Sequence, residues 1–229
     1  MMPKQNAVPL DLWRRQLTEG LEALGLVLLP PQQDALLAYL TLLSKWNRTY
    51  NLTAIRDPRE MVSRQLLDSL SILPWVRGPR VLDVGTGAGL PGIPLAIALP
   101  GCRFLLLDSN GKKTRFVQQV ITELALANVS VRQARVEALS DSDGFDTIVS
   151  RAFADLHEML ALTGHLRSPS GQWAAMKSGL AEFDPRVLPT GMVSRVQELK
   201  VPGESGERNL VLIGPDPALA RGQGCEGPL

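Results

Sequence analysis

Cysteine is scarce in this chain of 229 residues, with Cys102 and Cys225 the only two. They stand far apart and form no CxxC or other metal-like spacing, so no disulfide framework is expected, in keeping with a reducing compartment. Histidine is equally rare. His157 and His165 share one stretch of helical spacing without a spaced acid or cysteine partner, so no metal is expected. Aromatic residues make up only 5% of the chain. Trp13, Trp46, Trp75 and Trp173 stand mostly among aliphatic neighbours, which favours packing over base stacking. No apolar run reaches the roughly 20 residues that cross a bilayer, and Met1 to Pro9 has no basic stretch followed by an apolar one. A cytoplasmic location without a membrane partner is the expectation. An excess of one charge is lacking too, since 24 Lys and Arg against 23 Asp and Glu leave a net charge of +1. Affinity for nucleic acid would have to come from local basic clusters.

What is present is ample apolar material, 45% of the residues, enough for one sizeable domain or a domain with an extension. The first 78 residues read as helices. Leu17, Leu21 and Leu24 follow Asp11-Leu12-Trp13 at helical spacing, and Leu36, Leu37, Leu40, Leu43 and Trp46 repeat the pattern after Pro30-Pro31. A third helix is marked by Asp57 as cap, Pro58 at the first position and Glu60 where a capping box places its acid. Leu66, Leu67, Leu70 and Leu73 supply its apolar face and Pro74 ends it. Between the second and third helices, WNRTYNLTAIRDP is unusually polar for a connector.

From residue 79 short apolar runs alternate with helical stretches. RVLDV, RFLLLD, VSVRQ, FDTIVS and GQWAAMK are the runs, with helices near Ile93 to Leu99, Gly111 to Ala127 and Leu156 to Leu166. Such alternation predicts a parallel sheet covered on both faces. MVSRVQELK and RNLVLIG have no helix between them and read as an antiparallel hairpin closing that sheet, seven strands in all. The division expected is a helical extension at 1–78, an α/β core at 79–214 and a loose tail at 215–229.

VLDVGTGAGLPGIPLA, Val81 to Ala96, carries the strongest chemical signal. Gly85, Gly87 and Gly89 follow a buried strand and lead into a helix, where glycine lets the backbone turn sharply and a ligand approach without a Cβ in the way. One strand later, Asp108 stands where such folds place a carboxylate on the ribose hydroxyls of an adenosine ligand; a simpler role is capping the next helix. Spacing of the GxGxG kind differs from the GxGxxG usual for NAD. Pro91 and Pro94 also remove amide donors that a pyrophosphate would need. S-adenosylmethionine has no phosphate, and Asp83 can help organise its cationic end. The closing hairpin favours a methyltransferase over a dehydrogenase by fold analogy. A Rossmann-like α/β fold with S-adenosyl-L-methionine as cofactor is therefore expected.

WNRTYNLTAIRD, LLDSL, LDVGTGAGLPGIPLA, LLDSNGKKTRF, RVEAL and SRAF together resemble the RsmG family, also called glucose-inhibited division protein B, in order from about Leu36 to Gly214. The resemblance implies the class I methyltransferase fold and methyl transfer from S-adenosylmethionine to N7 of a guanine in 16S ribosomal RNA, in the helix 18 loop. The partner it implies is that RNA or the small ribosomal subunit. It further implies cofactor contacts at Gly85, Leu90, Val136 and Glu137, and a role for Arg151, in SRAF, at the mouth of the site. Where the family has histidine before LLDSL, this chain has Gln65.

Guanine N7 has a free lone pair, so attack on a sulfonium methyl needs no general base, and alignment and electrostatics suffice. No catalytic residue is named. Arg151 is the candidate orienting residue, on the cofactor or a phosphate, because a donor on N7 would block the reacting lone pair. Methylation at cytosine C5 needs a cysteine in the site, which neither Cys102 nor Cys225 supplies. Amino-group methylation is disfavoured, since Ser150-Arg151-Ala152-Phe153 replaces the Asn/Asp-Pro-Pro-aromatic motif. Lys112, Lys113 and Arg115, with Arg48, Arg56, Arg59 and Arg64, are candidates for a phosphate-binding rim or simply solvated charges. Asn47, Tyr50 and Asn51 either pack the helices onto the core or touch RNA. A monomer is expected. Small-molecule methyl transfer on the same fold, NAD-linked oxidoreduction and a non-catalytic RNA-binding module remain the alternatives.

Overall fold

The computed structural model describes residues 9–151, 153, 155–179, 184 and 188–215; residues 216–229, most of the expected tail, lie outside them. Three N-terminal helical segments come first. Helix α1 spans Leu10–Leu24 and stops at Gly25, which takes the left-handed conformation (φ 65°) that glycine adopts without a Cβ penalty. Helix α2 spans Pro30–Tyr50, with Gln32 Oε1 accepting from the Leu29 amide. Its last turns take in Trp46 to Tyr50, so the first five of the thirteen residues of the expected polar connector are helical. Asn51, left-handed at φ 52°, ends it. Helix α3, Pro58–Met61, is capped by Asp57 as expected, but Glu60 turns to Arg64 at 3.1 Å instead of closing a capping box. A π-helical segment, Val62–Leu67, and helix α4, Asp68–Leu70, complete this region.

Seven strands follow: β1 Arg80–Val84, β2 Arg103–Asp108, β3 Val129–Gln133, β4 Phe145–Ser150, β5 Arg167–Lys177, β6 Met192–Glu198 and β7 Asn209–Pro215. Helices α5 (Gly92–Ala98), α6 (Gly111–Glu123) and α7 (Leu156–Thr163) connect the parallel ones. The sheet order is β3-β2-β1-β4-β5-β7-β6, with β7 antiparallel to both neighbours, so the expected closing hairpin is present. Strand β5 begins four residues before the expected GQWAAMK. Its first pair, Arg167 with Phe145, is separated from the rest by a register shift, and a Cβ at Gly171 would collide with the Phe145 carbonyl. Pro169 and Gly171 look like turn residues in sequence, yet here they build an irregular strand start. Helix α6 ends four residues earlier than expected, with Ala125 left-handed at φ 50°.

Alternation sorts the strands onto two faces. Val81, Phe104 and Leu106 point into one apolar cluster with α5, α6 and the N-terminal helices; Leu82, Val84 and Leu107 point into another with α7. Trp13 anchors α1, its indole N–H donating to the Pro58 carbonyl at 2.7 Å, and Gln32 Nε2 ties α2 to the carbonyls of Ile97 and Ala98. The N-terminal helices thus share a core with the sheet. Cys102 is buried immediately before β2, while Cys225 lies outside the described residues. Two large apolar clusters carry the fold. Leu40, fully buried on α2, tests the shared core. Leu40→Ala is expected to lower unfolding stability by about 2–5 kcal/mol in a denaturant titration; a loss below about 1 kcal/mol would mean that α2 is not part of that core.

Candidate active site

Strand order reverses between β1 and β4, and the carboxyl ends of these two strands open a crevice where open α/β sheets place their ligands. The loop after β1 lines it. Gly85, Gly87 and Gly89 have φ of 69°, 59° and 91°, a left-handed backbone that side chains rarely adopt. The amides of Gly85 and Thr86 both donate to the Leu107 carbonyl, hooking the loop over the end of β2. Leu90 is buried and donates its amide to the Thr86 carbonyl at 2.8 Å. A Cβ built on Gly87 would meet nothing nearer than the Gly85 carbonyl at 4.0 Å, so the loop leaves room there for a ligand.

Asp83 holds this loop from below. Fully buried, its Oδ2 accepts from the Thr86 hydroxyl at 2.6 Å and from the Gly92 amide at 2.8 Å. A side chain at Gly92 would strike that same oxygen. Burial raises the pKa of Asp83 to about 6, against the lowering effect of these two hydrogen bonds and of the Arg151 guanidinium. Its second oxygen is buried without a hydrogen-bond partner, an acceptor available to a cationic group. At the start of α5 the amide of Gly92 is taken by Asp83, those of Ile93 and Leu95 by the carbonyls of Gly89 and Pro91, and Pro94 has none. A pyrophosphate would find no donor at this helix start, which removes the physical basis for NAD binding.

Asp108 ends β2 beside the loop. Its two oxygens accept from the amides of Gly87 and Asn110, at 2.9 and 2.8 Å, while Asn110 supplies the cap of α6. The simpler capping role for Asp108 therefore falls to Asn110. Each carboxylate oxygen keeps a lone-pair direction for a further donor. Val136 and Glu137 form a short 3-10 turn after β3, the first buried and the second exposed, tied to the end of β2 through the Ala134 amide and the Asp108 carbonyl.

Arg151 follows β4 and donates to Asp68 Oδ2 at 2.9 Å. Arg208, from the loop before β7, lies 3.3 Å from the other Asp68 oxygen. Burial raises the pKa of Asp68, opposed by both arginines. Asp68 and Arg208 escaped sequence reasoning. An acid inside the apolar stretch LLDSL is a sign of buried pairing, whereas nothing in the sequence marks Arg208. Ala152, between Arg151 and Phe153, lies outside the described residues.

The basic candidates divide. Lys112 and Arg115 are exposed on the first turns of α6, and Lys113 reaches to 3.9 Å from Asp108. Arg56 is exposed and donates to Asn51 Oδ1 at 2.6 Å; Arg48 and Arg59 are exposed as well. Arg64 is tied to Glu60 and, at 3.8 Å, to Glu204. Asn47 belongs to packing: it accepts from the Thr53 amide and donates to the Ile55 carbonyl. Gln65, buried in the π-helical segment, donates to Thr53 Oγ1 at 2.8 Å, and its side-chain Oε1 has no hydrogen-bond partner. His165 contacts the Leu139 carbonyl and His157 sits beside Asp155. Among the described residues no group of three or more metal-ligating side chains exists.

Residues 32–211 match the family model described as GidB, rRNA small subunit methyltransferase G. The chain belongs to the GidB family. It is 52% identical over 202 residues to a ribosomal RNA small subunit methyltransferase G of Marinobacter nauticus, covering 88% of this chain and 94% of the relative. A Legionella pneumophila protein of the same name is 53% identical over 180 residues, 79% and 86% of the two chains. Among solved structures, a chain from the Haloferax volcanii complex of the Trm112 methyltransferase activator with a methyltransferase aligns at TM-score 0.56 and 16% identity, covering 75% of this chain and 97% of that one. An Aquifex aeolicus SAM-dependent methyltransferase aligns at 0.50 and 16% identity, covering 67% and 92%. The fold is thus the Rossmann-like one of class I methyltransferases, as expected.

Asp83 makes stability depend on pH in a defined direction. Its folded pKa lies above the ordinary carboxylate value, so the native state holds the proton more tightly and this group favours folding most at low pH. That contribution is lost as pH rises from about 4 to about 6, on the order of 3 kcal/mol. Unfolding titrations of wild type and Asp83→Asn across that range should show the wild type losing stability relative to the variant; a constant difference would contradict the burial of this carboxyl.

Proposed function

We propose that the chain transfers a methyl group from S-adenosyl-L-methionine to N7 of a guanine in 16S ribosomal RNA, in the helix 18 loop. The observation that carries the cofactor half is the loop itself: left-handed glycines with open room at Gly87, a buried unpartnered Asp83 oxygen below, and Asp108 alongside. Family membership carries the RNA half. Gly85, Gly87 and Leu90 cradle the cofactor, Asp108 accepts its ribose hydroxyls, and Val136 and Glu137 border its adenine. Asp83 steadies the cationic methionine end through the loop. When bound, the cofactor supplies a methyl already activated on a sulfonium.

No residue has to remove a proton before attack, because guanine N7 presents a lone pair. What the chain supplies is position and field. Arg151, held by Asp68, orients the cofactor end or a substrate phosphate at the mouth of the crevice. Arg48, Arg56, Arg64, Lys112, Lys113 and Arg115 form the phosphate-binding rim, with Arg64 the most committed to neighbouring acids. Residues 1–78 serve as an extension packed on the methyltransferase core of 79–214. The protein acts as a cytoplasmic monomer on 16S RNA or the small subunit. Among the described residues no helix is long and apolar enough to cross a membrane.

The test incubates the protein with labelled S-adenosylmethionine and small subunits lacking the modification, then maps label by nuclease digestion and mass spectrometry. Label on one guanine N7 of 16S RNA is expected, and Asp108→Ala should abolish it while weakening cofactor binding in calorimetry. Cofactor binding without RNA labelling would point to a small-molecule acceptor and overturn the RNA reading.

A further inference from the structure

Few rings are available to this protein: four tryptophans, two tyrosines and five phenylalanines. Four of these rings nevertheless form one continuous column. Tyr39 and Phe116 lie 6.4 Å apart between centroids, Phe116 and Trp46 5.5 Å, and Trp46 and Tyr50 5.2 Å with planes 35° apart. The inner end is fully buried, and the Tyr39 hydroxyl donates to the Ala88 carbonyl of the glycine loop at 2.8 Å. The outer end, Tyr50, is 47% exposed and is the only aromatic among the exposed large apolar side chains of the described residues.

Its position follows from the helices. Gln32, at the start of α2, bonds carbonyls at the end of α5, so α2 begins at the amino edge of the sheet. Tyr50 lies eleven residues beyond Tyr39, about 16 Å along the helix axis, and so stands above the carboxyl edge of the sheet on the α6 side. Helix α6 starts from that same edge, and its Lys112 precedes Phe116 by one turn on the same helix face. Arg56 is fixed beside the end of α2 by Asn51. A flat apolar ring flanked by cations is the surface that unpaired RNA recognises, through stacking of a base and neutralisation of its phosphates.

We propose that Tyr50 is a stacking platform for an unpaired base of the RNA substrate next to the target nucleotide, with Arg56 and Lys112 on the adjoining phosphates. This rests on the RNA reading above. The ring column gives the platform its purpose: a base seated on Tyr50 is held at fixed distance from the glycine loop through Trp46, Phe116 and Tyr39. Stacking therefore sets the register of the strand without touching the cofactor.

A short unpaired RNA carrying 2-aminopurine, whose fluorescence is quenched on stacking, is the probe. Tyr50→Leu keeps an apolar contact on Trp46 but removes the flat face, and Tyr50→Phe keeps both. Wild type and Tyr50→Phe are expected to bind and quench alike. Tyr50→Leu should lose the quench and bind on the order of tenfold more weakly, with thermal unfolding and S-adenosylmethionine affinity unchanged. Equal affinity and quench in Tyr50→Leu overturns the platform alone. A wild type that binds no RNA overturns the RNA reading and the platform together, and a fall in cofactor affinity with Tyr50→Leu shows a packing role instead.

Discussion

A single buried carboxylate organises the functional end of this molecule. Asp83 sits near the end of β1, where its Oδ2 joins the Thr86 hydroxyl to the Gly92 amide and so connects the loop to the first turn of α5. A charge in that place is costly, as its raised pKa records, and two hydrogen bonds and the nearby Arg151 offset only part of the cost. The neighbouring residues fit around it. Gly92 is glycine because a Cβ would strike the carboxylate, and Gly85, Gly87 and Gly89 take the backbone through left-handed turns on its way round. With the loop so held, Asp108 meets the Gly87 amide at 2.9 Å. A loop held in this way loses less conformational freedom when a ligand binds.

The second charged group, Arg151-Asp68-Arg208, links three distant parts of the chain: the end of β4, the N-terminal helices and the loop before β7. That loop is fastened again through Ser63, whose hydroxyl donates to the Pro202 carbonyl at 2.8 Å, and Gly203 lies close against the same serine at φ 82°. The closing hairpin is thereby brought over the helical extension, and Arg151 is held between them. A donor so fixed can orient a substrate or cofactor group without first losing side-chain entropy.

How far the sequence could be read depended on whether each signal was local. The parallel strands were legible because continuous apolar runs between turn residues mean buried strands. Asp108 and the glycine loop were legible because a ligand constrains residue type at fixed spacing. The early start of β5 was not, since Pro169 and Gly171 carry the same signal for a turn as for an irregular strand. Asn47 could be given no single role, because only tertiary contact shows that its amide ties Thr53 and Ile55. The ring column stayed hidden for the same reason: Tyr39, Trp46 and Tyr50 belong to one helix, but Phe116 comes from another. The Asp68 pairing needed residues 83 and 140 positions away.

We propose that Asp83 shapes the loop into the cofactor pocket. Thr86→Val tests it most directly, removing the hydroxyl that donates to Asp83 with little change in volume. Calorimetric titration of S-adenosylhomocysteine into both proteins is the measurement. Loss of a buried hydrogen bond to a charged group, roughly 1.5–3 kcal/mol, predicts affinity weakened by about tenfold or more, with the fold retained by circular dichroism. Equal affinity in the two proteins would contradict the claim, leaving the loop's shape to its glycines alone.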